Sequence, residues 1–136
     1  MVKGKGPAPK KILGRLREVR VHMGQFDFTI WAIIGPLEDA QKYVEWRLDC
    51  VLAEPDVGDV DGLCFEGAPG KGPVIWLPRV PRSADDIGSL AHEACHAVRE
   101  MMVDWAGMRL NRDSDEVLCH GVGHVVKTVL SSVRAH

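Results

Sequence analysis

The sequence predicts an α+β fold: a small mixed sheet of about four strands packed against three helices. Three observations carry this. Short runs rich in β-branched and aromatic residues fill much of the first half, as in Phe26–Ile34 (FDFTIWAII) and Val74–Leu77 (VIWL). Apolar residues then recur in steps of three and four from Leu37 to Leu52 and again from Ser83 onward. The order is strands with one helix inserted, followed by two helices, which is the α+β pattern. A chain of 136 residues fits one domain.

The first eleven residues, with Lys3-Gly4-Lys5-Gly6-Pro7-Ala8-Pro9 at their centre, are basic and full of backbone breakers. They are expected to form a disordered tail, with the domain running from residue 12 to 136. Residues 1–20 carry seven Lys or Arg against Glu18 alone, a balance of +6 that leaves −8 for the rest of a chain of net charge −2. Such a start suits an acidic or nucleic-acid partner, or simply solvation. Leu16–Met23 alternates apolar and charged residues and reads as a strand. Phe26–Ile34 reads as a well-buried strand ended by Gly35-Pro36.

Leu37, Ala40, Tyr43, Val44 and Leu48 mark a backing helix that ends by Pro55, and Asp56–Gly62 is turn-like. Leu63–Phe65 is a short strand, and Gly67–Pro73 is a loop. Val74–Leu77 lies between two prolines and so reads as an edge strand. Ser83, with Asp86 three residues on, opens a helix in a capping-box arrangement, and Gly107 stops it. Asp113 or Ser114 caps a last helix that extends to about Val133.

Cys50, Cys64, Cys95 and Cys119 form no Cys-x-x-Cys pair and are expected to be reduced and mostly buried, Cys95 included. No apolar run follows the basic start as in a secretory signal, and none approaches a membrane span. The expectation is a cytoplasmic chain with no membrane association.

The helix opened by Ser83 contains His92-Glu93-Ala94-Cys95-His96, an H-E-x-x-H pattern. Residues four apart stack on one helix face, so the two imidazoles can share one Zn²⁺ at about 2.0–2.1 Å each. Glu93 lies about 100° round the helix, beside such an ion, where it can take a proton from water acidified by the metal.

A catalytic zinc ordinarily has a third protein ligand. The extension H-E-x-x-H-x-x-G-x-x-H is absent, since Arg99 and Met102 occupy the required positions. Glu116, His120 and His124 sit at i, i+4 and i+8 of the last helix, within about 80° of one face, and any of them can point at the metal. With Glu116 as ligand, His120 or His124 is free to stabilise an oxyanion or orient the carboxylate. Gly121 and Gly123 are costly in a helix and mark either close packing or a kink. Tyr43 and the four tryptophans read as core residues.

The pair His92-Glu93-x-x-His96, followed after 19 residues by Glu116, resembles the gluzincin branch of the zincin metallopeptidases. The phrase HEACHAVREMMVDWAG…DSDEVL also resembles short metallopeptidase-like proteins of bacteriophages. The resemblance implies a minimal zincin-like fold and zinc held by His92, His96 and Glu116. It further implies Glu93 as general base, a peptide or protein substrate, and strand addition of that substrate at Val74–Leu77, while His120 stands as a second catalytic candidate on its place in the last helix alone. The chain departs from the thermolysin-like pattern at His120, where that pattern has an aspartate. The other functional class open to the sequence is a zinc-stabilised module that binds a protein or nucleic acid without catalysis.

Overall fold

The computed structural model describes residues 5–24, 26–52, 60–67 and 71–134. The first four residues, Pro55 with the turn at 56–59, and the loop at 68–70 lie outside the described residues. The elements are α1 (Lys10–Leu13), β1 (Arg17–Met23), β2 (Phe28–Ile34), α2 (Leu37–Leu48), β3 (Leu63–Phe65), β4 (Val74–Leu77), α3 (Ala84–Glu100) with a π-helical turn over Met101–Trp105, and α4 (Asp115–Arg134). The fold is α+β, with one four-stranded mixed sheet in the order β1-β2-β4-β3.

β2 explains the sheet. Ile30, Ala32 and Ile34 face one side, where α3 and α4 cover them. Trp31 and Ile33 face the other, against α2. A strand covered on both faces needs apolar residues at every position, which is why its sequence runs apolar rather than alternating. Ile30, Ile33 and Ile75 are fully buried, each side chain contributing about 1.5–3 kcal/mol. β1 keeps the alternation instead: Val19, Val21 and Met23 are buried, while Arg20 and His22 are exposed.

β4 corrects an expectation. It is not an edge: it pairs in parallel with β2 and antiparallel with β3, and all four residues are buried. Pro73 and Pro78 flank the strand without entering its ladder, so no amide donor is lost between them. Pro73 even contributes its carbonyl, which accepts from Trp31 N–H at 3.1 Å. The edge on that side of the sheet is β3.

The N-terminal segment also differs from a free tail. Arg47, 2% exposed, donates to the carbonyls of Lys5 at 2.6 Å and Gly6 at 3.0 Å. The Ala8 N–H donates to both Glu18 carboxylate oxygens at 3.1 Å, and helix α1 begins at Lys10. Tyr43 is fully buried, and its hydroxyl donates to Glu18 at 2.6 Å. Burial and that bond push the phenol's pKa well up.

Between α3 and α4 the two glycines separate in role. A Cβ on Gly121 would lie 2.6 Å from Val98 Cγ1, whereas one on Gly123 meets nothing. Val98 is fully buried and stiff at χ1, so it cannot yield. Gly121→Ala is therefore expected to lose about 1–3 kcal/mol by overpacking. Gly123→Ala should gain about 0.5–1 kcal/mol of helix propensity. Denaturant midpoints of the two variants should move in opposite directions.

Candidate metal centre

α3 starts where the sequence places it. The Ser83 hydroxyl accepts from the Asp86 N–H at 3.1 Å, and the Asp86 carboxylate accepts from the Ser83 N–H at 3.4 Å. Arg79 pairs with the same carboxylate at 2.7 Å and holds its pKa below the usual range. This fixed start sets the phase of everything downstream. Leu90, Ala94, Ala97, Val98 and Met101 enter the core. At 100° per residue, that leaves His92 and His96 on the solvent side of the helix.

The two imidazoles converge. Their Nε2 atoms are 3.2 Å apart, with ring planes at 79°. Two nitrogens at about 2.0–2.1 Å from one tetrahedral Zn²⁺ are about 3.3–3.4 Å apart, so the pair is spaced as a shared ion requires. Glu93 Oε1 lies 3.8 Å from His92 Nε2. Donor atoms of His92, Glu93 and His96 all lie within 4.8 Å of one another, the one such group among the described residues. The chemistry of this donor set fits zinc, and it leaves coordination positions that these side chains do not fill.

Glu93 differs from the histidines in its burial. It is 7% exposed, and among the described residues its Oε2 has no hydrogen-bond partner. Its Cγ packs where a Cβ on Gly62 would come within 3.2 Å, so the glycine before β3 makes room for it. Val60, Asp61 and Gly62 on one side, and Ala84, Asp85, Gly88, Ser89, His92 and Glu93 of α3 on the other, line an open cavity of about 560 Å³. The site thus opens toward the approach to β3, not toward α4, where the resemblance places a third ligand, nor toward β4, where it places strand addition of the substrate.

Two turns beyond Glu93 on the same face lies Glu100, a residue that the sequence reasoning passed over. Its signal was a carboxylate seven residues from Glu93 in an otherwise apolar arc. Oε1 accepts from the Gly67 N–H at 2.9 Å, while Oε2 is buried without a partner. Burial raises its pKa to about 7. Burial, with Glu100 and Glu93 nearby, also pushes the Cys64 thiol up.

A carboxyl whose folded pKa is raised binds more protons folded than unfolded across the window from 4.5 to about 7. Stability is therefore favoured below that window and falls as pH rises through it. The loss is on the order of 2–3 kcal/mol. Urea midpoints at pH 5 and pH 8 should show it, and Glu100→Gln should flatten the difference.

The structure does not bring the other expected residues to the histidine pair. Glu116 and His120 pair with each other at 3.3 Å, both largely exposed, and neither joins the His92–Glu93–His96 group. The reason is the side on which α4 crosses. Its close contact is Gly121 on Val98, and Val98 points about 140° away from the mean direction of His92 and His96. His124 Nε2 instead lies 2.9 Å from the His22 carbonyl oxygen. Cys95 and Cys119 are exposed and Cys50 and Cys64 half-buried, all four free thiols. Cys95 is not the buried residue expected, because it shares the outer face of α3 with exposed Arg99. Among the described residues, no helix is long and apolar enough to cross a membrane. Comparison with protein-family models, curated proteins and solved structures yields no match for this chain.

Proposed function

We propose that the chain is a zinc-dependent hydrolase of peptide or other amide bonds, with His92 and His96 as metal ligands and Glu93 as general base. The observation that carries this reading is the 3.2 Å convergence of the two Nε2 atoms beside a buried, unsatisfied carboxylate. Bound there, zinc would supply Lewis acidity to a carbonyl and to water. The remaining work falls to the chain's own groups. Glu93, fixed against Gly62, accepts a proton from the attacking water and returns it to the leaving nitrogen. β3, at the end of the sheet, offers backbone groups that an extended peptide can join.

One observation favours a second reading, a metal-stabilised binding module without catalysis. Glu116 and His120 lie outside the metal group, and a catalytic zinc ordinarily has three protein ligands. A basic-tail contact to a polyanion is weakened by pairing within the chain: Lys5 bonds Asp49, and Arg15 bonds Asp39 at 3.1 Å. The test is incubation of the zinc-loaded protein with a mixed peptide library, read by mass spectrometry. Cleavage that a chelator stops and added zinc restores supports the hydrolase. Stoichiometric zinc with no cleavage favours the binding module.

A further inference from the structure

The cavity beside His92 and Glu93 carries a chemical preference of its own. Its charged side chains other than the histidine are all carboxylates: Asp61, Asp85 and Glu93. Asp61 shares Arg79 at 3.4 Å, but Asp85 has no ion pair among the described residues. The third carboxylate, Glu93, lines the cavity while only 7% exposed, and among the described residues its Oε2 has no hydrogen-bond partner. The remaining lining is Val60 and four small residues, Gly62, Ala84, Gly88 and Ser89. Among the described residues, a Cβ on Gly88 would meet nothing within 4 Å, so the helix surface there leaves room for a side chain.

Asp85 lies on the same stripe of α3 as His92, seven residues and roughly 10 Å before it along the axis. A side chain entering beside the histidine pair therefore runs over glycine and serine toward a carboxylate. That path suits a long, unbranched, cationic side chain and disfavours an acidic one.

We propose that this cavity seats a lysine or arginine side chain of a peptide lying along β3, so that the substrate class is basic peptides cut next to that residue. The cleavage part of this proposal rests on the hydrolase reading; the binding part does not.

The test uses zinc-loaded full-length protein and fluorescein-labelled hexapeptides that differ only at one central residue: lysine, norleucine or glutamate. Fluorescence anisotropy reads binding, and mass spectrometry of the same mixtures reads cleavage. The lysine peptide should bind about tenfold more tightly than the glutamate peptide, as one charge-assisted hydrogen bond would give. Asp85→Lys, checked for folding by circular dichroism, should abolish or invert that order. Gly88→Leu, which fills the cavity while favouring the helix, should weaken all three peptides. Equal binding of the lysine and glutamate peptides, no binding of any peptide, or a lysine preference unchanged in Asp85→Lys would overturn the inference. Lysine-selective binding without cleavage leaves the cavity's preference standing and removes the hydrolase. Cleavage without charge preference does the reverse.

Discussion

Glu93→Gln is expected to lower zinc-dependent hydrolysis by about 10²–10⁴-fold while metal uptake and folding survive. The substitution keeps the shape of the side chain and removes only its ability to accept a proton. That shape matters, because the side chain is buried and its Cγ packs beside Gly62. No hydrogen bond to Oε2 is lost among the described residues, since that oxygen has no partner there. Both imidazoles remain in the variant, with their Nε2 atoms 3.2 Å apart on one face of α3, so zinc stoichiometry by elemental analysis should be unchanged. A variant that retains full activity with zinc bound would remove Glu93 from the chemistry. Loss of activity together with loss of zinc would instead make the carboxylate a ligand. His96→Ala is the contrasting control, because it removes one of the two converging nitrogens.

What the sequence made legible was local. The pair His92 and His96 needs only one regular helix, and the capping box at Ser83 and Asp86 sets its start, so four residues put the two imidazoles on one face. β2 was equally readable from its run of β-branched and aromatic residues, and the backing helix from its periodicity. What failed depends on partners distant in sequence. β4 looked like an edge because of its flanking prolines, but its status is decided by β2 and β3 on either side. Glu116 had the right spacing to complete a zinc site, but spacing along the chain does not fix the side on which α4 crosses α3. The contact of Gly121 with Val98 fixes it. The glycine was visible in the sequence as a helix anomaly, but its partner was not. Glu100 was missed because a single acidic residue in an apolar arc looks like a surface position until Gly67 is seen to donate to it.

Arg47→Ala is expected to destabilise the protein by about 3–5 kcal/mol, the cost of leaving a buried charge unpaired. Arg47 is a charged residue of an amphipathic helix, yet its side chain is 1% exposed and that of its partner Glu18 is 9% exposed, with 2.9 Å between them. The guanidinium lies 3.8 Å from the centre of the Trp31 ring, and it also donates to the Tyr43 hydroxyl at 2.8 Å. Its other donors hold the carbonyls of Lys5 and Gly6, more than 40 residues away in sequence. One side chain thus joins β1, β2, α2 and the N-terminal segment. Lysine should not rescue it, because a single ammonium cannot meet three separated sets of acceptors in one plane. If the loss arises from the stranded Glu18 carboxylate, adding Glu18→Gln to Arg47→Ala should recover a substantial part of it. A double-mutant cycle by urea denaturation measures that coupling. The same variant should release the segment before α1, so that limited proteolysis cuts near Lys5 before the domain itself unfolds. A stability loss below about 1 kcal/mol, the range of an exposed ion pair, would show that this hub contributes little and that the N-terminal segment is held by other contacts.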